Sequence, residues 1–487
     1  MEAAGGVGMV SSKLIQNSLP LKPDNALSTT VLLSEVLNSG IRLEAAAFNA
    51  DARQAVEALR ESGMEVVPLY GEGGIAEDAT NAFRFRRVYV DKTRGIPFLS
   101  SSDIIDLRPV PEHFLSRKLT RNVTELTICQ HDVLISCSGT IGNVALAGRR
   151  IAGMALSQHA IRVRFNDPDL AGFVTGFLRS KYGRVQLTQS AYGSVVSHIE
   201  PDHLKRVLIP NFHPVKLIEI GRQFIEACKA RDEAIDLLDE ADRFLHKSLN
   251  LPFLSTLARG RKRSLTSKVR TSKLDGRLDA SYHDALAEAA EKRLARLPCG
   301  VLRLNDPSLS KEIRAVTKFR KRIYVPGDGI PLLTSKQLFQ VAPIDMKRLG
   351  RRRHQKDMKE IALEENMIAV TCSGTVGKVQ IIPGYMAGWA ASQDSLRIVP
   401  SSPSEAGFLY AWLNGEYGQR LVKRHTYGSV VVHIDLPMLK SVPVPNANES
   451  VRKQVGELVL RGNELRNNAW ILEQKAIRQI ESLLSKR

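Results

Sequence analysis

The residues whose types and spacing invite a chemical role come in pairs. Ser-Gly-Thr segments stand at 138–142 (SGTIG) and 373–377 (SGTVG). Glycines beside a hydroxyl can expose backbone N–H groups as an anion-holding loop; a tight turn after a strand uses the same residues and is the preferred reading. The stretch 374–379 (GTVGKV) approaches a phosphate loop. It lacks the first glycine of GxxxxGK[ST], places Val379 where the hydroxyl belongs, and has Asn143 in the other copy in place of Lys378, so nucleotide binding there is rejected. The run LLDEADRFL at 237–245 looks like the acidic box of ATP-dependent helicases, but no Walker A loop accompanies it, and its residues fit a heptad helix. Ser194 with His198, and Ser429 with His433, supply nucleophile and base types without an oriented acid or a nucleophile elbow. The cysteines Cys129, Cys137, Cys228, Cys299 and Cys372 lie far apart, with no CxxC or Cys/His spacing of the kind zinc requires.

What remains is charge. Lys and Arg number 69 against 51 Asp and Glu, a net charge of +18, which makes nucleic acid the leading partner. The excess is local: 259–273 (RGRKRSLTSKVRTSK) has no acid, and 347–353 reads KRLGRRR. The candidate DNA contacts are Arg84, Arg86 and Arg87; Arg117, Lys118 and Arg121; Lys347, Arg348, Arg351, Arg352 and Arg353. Tyr192 and Tyr427 join them as residues that stack on or hydrogen-bond to DNA, with packing in a core as the alternative. The N-terminus has no signal-peptide apolar region and no stretch is apolar enough for a membrane span, so a reduced, cytoplasmic protein without a membrane partner is expected.

The elements that position these residues are duplicated. LISCSGTIGNVALA at 134–147 is answered by AVTCSGTVGKVQII at 369–382, an offset of 235 residues. The same offset joins Ser157-Gln158 to Ser392-Gln393, Gly172-Phe173 to Gly407-Phe408, AYGSVVSHIEPDHLK to TYGSVVVHIDLPMLK, and Arg42-Leu43-Glu44-Ala45 to Arg277-Leu278-Asp279-Ala280. GIPFLSS from Gly95 matches GIPLLTS from Gly329 at 234, so a one-residue difference falls between there and the Ser-Gly-Thr segment. Within each unit, β-branched runs such as 133–136 and 161–165, punctuated by Gly and Pro, with a helical piece near 171–187, predict a mixed α/β (α+β) domain.

Each unit ends in a helical pattern with apolar spacings of three and four. The first carries Leu217, Phe224, Leu238 and Leu245, interrupted by Arg231; the second carries Val455, Leu465 and Leu472, interrupted by Gly462. A 3.5-residue average predicts a coiled-coil seam between the two helices, with a looser pair in a larger bundle as the alternative. Helices of about 35 residues span roughly 50 Å, about one to one and a half turns of duplex at ~3.4 Å per base pair. The expected division is a leader at 1–38, a domain at 39–213, a helix at 214–250, a basic linker at 251–274, a domain at 275–447 and a helix at 448–487.

This order, with SGTIG and SGTVG, GSVVxHI and the RLEA/RLDA entry segments, resembles the specificity subunits of type I restriction-modification systems over nearly the whole chain beyond the leader. The helix entries NFHPVKLIEI and NANESVRKQV depart from the family's consecutive prolines and Glu-Gln pair. The resemblance implies two duplicated target-recognition domains joined by long antiparallel coiled-coil helices in pseudo-two-fold arrangement. It further implies a non-catalytic subunit that binds a bipartite double-stranded DNA target. Its partners would be two modification (methyltransferase) subunits, docked on the helices, and restriction (endonuclease/translocase) subunits. S-adenosylmethionine, Mg2+ and ATP belong, on that resemblance, to the partner subunits alone; the chain holds no NPPY or DPPY tetrapeptide for a flipped adenine. Two other readings are a specificity-type module of another phage-defence assembly, and a cryptic nuclease or ATPase.

Overall fold

A helix opens each half of the chain, Ala50–Glu61 in the first and Ala285–Leu294 in the second, and strand-forming runs follow it. The computed structural model describes residues 30–38, 48–189, 191, 197–254, 256, 269–274, 276–316 and 322–485. The run Val-Leu-Ile-Ser forms β5 (Val133–Ser136), buried throughout, as expected of a strand with apolar neighbours on both faces. It lies inside an antiparallel sheet ordered β2 (Asp78–Asn81), β8 (Ala160–Arg164), β5, β6 (Val144–Leu146). A second sheet runs β4 (His113–Ser116), β3 (Gly95–Leu99), β7 (Ala155–Leu156), and β1 (Val66–Pro68) pairs with β9 (Leu208–Pro210).

The same three sheets recur. The second half has β11 (Ser310–Arg314), β17 (Ser395–Pro400), β14 (Ile368–Thr371), β15 (Val379–Ile381) in one sheet. It has β13 (Lys347–Leu349), β12 (Ile330–Leu333), β16 (Ala390–Ala391) in another, and the pair β10 (Val301–Arg303) with β18 (Pro443–Pro445). Register carries the repeat to single residues: Ile96 faces Leu115 as Ile330 faces Leu349, and Ile135 faces Ile161 as Val370 faces Leu396.

The helical piece read near 171–187 is two helices, Pro168–Arg179 and Lys181–Gln189, broken at Ser180, whose ψ of 165° leaves the helical region. Asp167 and Ser402 cap Pro168–Arg179 and its counterpart Pro403–Asn414, each with proline in the first turn. These helices cross the long ones at glycine pairs. A Cβ on Gly172 would lie 2.3 Å from the Gly221 carbonyl oxygen, and one on Gly407 would lie 2.4 Å from that of Gly456.

The first long helix is Pro214–Ser248 and the second Glu449–Leu484. They pack antiparallel: Gln223 meets Gln479 at 2.9 Å, Arg231 meets Glu473 at 2.6 Å and Glu233 meets Arg461 at 3.4 Å, so position rises along one helix as it falls along the other. Each helix begins in its own half and finishes in the other. Ala476, Ile477, Ile480 and Leu484 complete the core built on Val133, Phe173 and Phe224. Leu238, Ala241 and Leu245 complete the one built on Ile368, Phe408 and Val455.

This corrects the expectation for partner-contacting side chains. Phe224, Leu238, Leu245 and Val455 are 3 % exposed or less and serve these internal cores. Leu217, Leu465 and Leu472 are half-buried. Nor is the mid-helix seam apolar. Arg231 there shares Glu473 with Arg179, the latter at 2.9 Å. Among the described residues, Arg466, 235 residues after Arg231 and 2 % exposed, has no hydrogen-bond partner for any of its three guanidinium nitrogens. The reason is visible in the repeat: the position equivalent to Glu473 is Leu238.

The halves also touch directly. Leu107 N donates to Phe339 O and Val341 N to Ile105 O, both at 2.7 Å, with Asp106 opposite Gln340. Leu107 meets the counterpart of Ile105, Ile105 meets the counterpart of Leu107, and Asp106 meets its own counterpart, which marks a local two-fold relation. Asp106 is raised to about 6 by burial, against the opposing pull of Lys378.

Candidate nucleic-acid interface

The basic clusters that lie some thirty residues apart in sequence are neighbours in space. Residues 88–90 run along the free edge of β4: Ser116 N donates to Val88 O and Val90 N to Phe114 O, both 2.9 Å, with Tyr89 opposite Leu115. That register sets Arg87 opposite Arg117, so Arg84, Arg86 and Arg87 adjoin the turn carrying Arg117, Lys118 and Arg121, and all six are exposed. In the second half Gly350 N donates to Ile323 O and Val325 N to Arg348 O, with Tyr324 opposite Leu349. Arg322 is thereby set opposite Arg351. Lys347 and Arg351, Arg352 and Arg353 are exposed; Arg348 is half-buried and donates to Gly329 O at 3.3 Å. Arg351 also reaches Asp328 at 3.2 Å.

Each edge carries an aromatic ring covered by the neighbouring strand. His113 stacks on Tyr89 at 4.5 Å, and Lys347 Nζ sits 5.0 Å over the ring of Tyr324. Arg87 donates to Gln158 Oε1 at 3.4 Å while lying 5.1 Å from the Phe98 ring centre. Arg322 donates to Gln393 Oε1 in the same way. Sequence reading had no role for Tyr89, Tyr324 or Arg322. The signal was present, since RVYV at 87–90 and RIYV at 322–325 match at the offset of 235.

The two glutamines tie this edge to the Ser-Gly-Thr turn. Cys137 Sγ contacts Gln158 O at 3.6 Å and Cys372 Sγ contacts Gln393 O at 3.5 Å. Burial pushes these thiols up to about 12 and about 11, which keeps them protonated donors and not nucleophiles. Glycines at positive φ, Gly139 and Gly142, Gly374 and Gly377, bend both turns. Ser136 Oγ donates to Thr140 O at 2.6 Å, and Thr371 Oγ1 donates to Thr375 O, so the hydroxyl before each turn closes it. Gly374 N donates to Val432 O at 3.0 Å and Gly139 N to Ser197 O at 3.2 Å, which brings Val432 and Ser197 onto the same end of each sheet as the turn.

Tyr427 is exposed there and donates from its hydroxyl to Asp435 at 2.7 Å. The acid of that loop is therefore engaged with a phenol, not with His433. Val430 is 94 % exposed on the same loop. Tyr192, Gly193, Ser194 and Arg42 to Ala45 lie outside the described residues, as do the leader up to 29 and linker positions 257–268. His159 lies below the usual histidine range, first through burial and then through Arg87, His198 and Arg84, so the basic edge and the two histidine loops share one electrostatic neighbourhood. A neutral imidazole among guanidiniums preserves hydrogen-bonding capacity without adding repulsion.

The acidic run at 237–245 has a structural assignment. Asp239 accepts from Arg108 at 2.7 Å and also pairs with Arg150, while Asp236 pairs with Arg149 and Arg150, fastening the first long helix to the first half. Among the described residues, no group of three His, Cys, Asp or Glu side chains is placed to hold a metal ion, and no helix is long and apolar enough to cross a membrane.

No family model matches the sequence, and no curated protein matches it. Among solved structures, the chain is similar to the type I restriction-modification system S subunit from M. genitalium, at 13% identity over 86% of this chain and 98% of that one, with a TM-score of 0.31. It is also similar to the HsdS subunit from Thermoanaerobacter tengcongensis, at 16% identity over 87% and 96% of the two chains, with a TM-score of 0.26. A third match, the type IIG restriction endonuclease BpuSI, covers 39% of this chain and 30% of that one at 13% identity and a TM-score of 0.27.

Proposed function

We propose that this chain is the DNA sequence-specificity subunit of a type I restriction-modification complex. Its target-recognition domains are 39–213 and 275–447, its spacing helices are 214–250 and 448–487, and 251–274 is a basic linker. The observation that carries the reading is the repeat of one basic edge, Arg87 opposite Arg117 and Arg322 opposite Arg351, in two halves held together by an antiparallel helix pair. Two similar domains at a fixed separation suit two patches of one duplex: phosphate contacts from the arginine edges give affinity, and divergent loops read bases.

The chain itself performs no chemistry in this reading. Methyltransferase subunits bring S-adenosylmethionine and modify adenine in the target, and endonuclease/translocase subunits act on unmodified DNA. The commitment of Asp236 and Asp239 to arginines supports the non-catalytic reading over a cryptic nuclease or ATPase.

The test is adenine-methylation mapping of genomic DNA from cells expressing the chain with its neighbouring methyltransferase, beside cells lacking the chain. A bipartite methylated motif that disappears with the chain is expected. An active methyltransferase whose motif persists without the chain overturns the assignment.

A further inference from the structure

A cleft of about 750 Å³ lies between the two halves and the second long helix. Its walls carry Arg179, Arg184, Arg348, Arg351 and Arg478 against a single acid, Glu481. Several of these charges are not compensated. Arg179 shares Glu473 with Arg231, so two guanidiniums divide one carboxylate. Arg348 donates to a backbone carbonyl, and among the described residues neither it nor Arg478, exposed on the helix, has a carboxylate partner. Arg184 is paired with Asp345 across the cleft.

The duplication supplies an internal control. The equivalents of Arg179, Arg184 and Arg348 in the other copy are Asn414, Gln419 and Phe114; only Arg351 and Arg478 have arginine counterparts, Arg117 and Arg243. The fold therefore forms without three of the five arginines. The flank built on the first long helix has the opposite character, with Asp232, Asp236, Asp239 and Asp242 where the second helix has Asn467, Ile471, Gln474 and Ile477. On that other flank Arg108, Arg149 and Arg150 are matched by Asp236 and Asp239, so the arginine excess belongs to the cleft on the second helix and calls for a polyanion on that side.

The position of the cleft indicates which polyanion. Gly142, the last residue of the first Ser-Gly-Thr segment, lies at one border, and Arg351, part of the basic edge of the second half, at another. We infer that this arginine cleft holds the phosphodiester backbone of the DNA between the two half-sites, a sequence-independent contact made on one flank only. The inference rests on the DNA-reading assignment and adds the track by which one strand passes from the first recognition domain to the second. A guanidinium recognises a phosphate by paired N–H donors, and each phosphate neutralised releases condensed counterions whatever the base sequence.

The experiment is fluorescence-anisotropy binding of the full chain to a labelled 40-base-pair duplex of random sequence across a salt series. For the double variant Arg348→Gln/Arg478→Gln, the slope of log K against log salt falls in magnitude by about 1.8, at ~0.9 for each phosphate no longer neutralised. Arg348→Lys/Arg478→Lys, which keeps both charges, restores most of the slope, and Arg243→Gln on the other flank leaves it unchanged. A wild-type slope in the Gln double variant overturns the inference while leaving DNA reading intact. Equal loss in Arg243→Gln also overturns it, because the effect would then be general charge. Binding of sodium tripolyphosphate that depends on Arg348 and Arg478, with the DNA slope unchanged, assigns the cleft to a small anion instead. A wild-type chain without salt-dependent DNA binding removes the DNA-reading assignment itself.

Discussion

Replacing Glu473 by Gln should cost this protein about 3 kcal/mol of stability, and the structure gives the value by two routes. The side chain is 3 % exposed and clasped by Arg179 and Arg231. Burial alone would raise its pKa, but the two guanidiniums outweigh it and hold the carboxyl at about 2 against an ordinary 4.5. A depression of that size corresponds to about 3 kcal/mol at roughly 1.4 kcal/mol per unit. Breaking a buried ion pair from one side costs roughly 3–5 kcal/mol, because the other charge is left uncompensated. Since the folded pKa is the lower one, the contribution is complete above the unfolded value near 4.5 and is lost as pH falls toward 2. Urea unfolding of wild type and Glu473→Gln should therefore differ by about 3 kcal/mol at pH 7 and by roughly half that at pH 3. Arg466→Met provides the opposite sign, since it removes a buried cation that has no hydrogen-bond partner among the described residues, and should stabilise the chain by about 1 kcal/mol or more. A difference below about 1 kcal/mol at pH 7 for Glu473→Gln, or one that does not vary with pH, would refute the reasoning.

Other consequences are measurable by similar means. Arg351→Ala/Arg352→Ala/Arg353→Ala should weaken duplex binding and flatten its salt dependence by up to about 2.7 in slope; an unchanged slope would remove this turn from the interface. Gly172→Ala and Gly407→Ala force a methyl toward a carbonyl oxygen 2.3–2.4 Å away. Each should cost about 1–3 kcal/mol in denaturant titrations, and neutrality at either site would show that the crossing helices separate freely. Ending the chain after Lys475 removes Ile477, Ile480 and Leu484 from the core of the first half. At about 1.5–3 kcal/mol for each large side chain, that loss is on the order of 5–9 kcal/mol. Limited proteolysis should then cut first within 50–212, and initial cleavage in the second half would contradict the shared core.

The repeat and the long helices were readable because they depend on short-range information. Offsets align residue by residue, and a 3.5-residue spacing needs no tertiary knowledge, so helices expected at 214–250 and 448–487 are found at Pro214–Ser248 and Glu449–Leu484. The fate of the side chains was less legible. Periodicity marks Leu238 and Val455 as apolar-face residues without saying which surface they meet, and they meet the chain's own cores. The adjacency of Arg87 to Arg117 depends on a strand edge whose register is set by backbone hydrogen bonds to β4, which no local pattern encodes. Gly221 and Gly456 read as weak points in a helix; their use as crossing points appears only when Gly172 and Gly407 are set against them. Arg231 and Gly462 read as flaws in the seam. The first has a carboxylate partner in Glu473, and the second permits an approach in which an added Cβ would stand 3.1 Å from Ala234 O.

The exchange of helix ends has a consequence for synthesis. The first half has been translated through Phe224 long before Leu484, the last of its core residues, exists. At roughly 5–20 residues per second, translating the intervening stretch takes on the order of ten seconds to a minute. Through that interval Phe173, Phe177 and Phe224 lack the apolar cover that Ile477 and Ile480 later provide. A nascent chain in this condition is a natural client for chaperones that shield apolar surface. Slowing the ribosome within the second half should increase aggregation of this protein more than slowing it within the first.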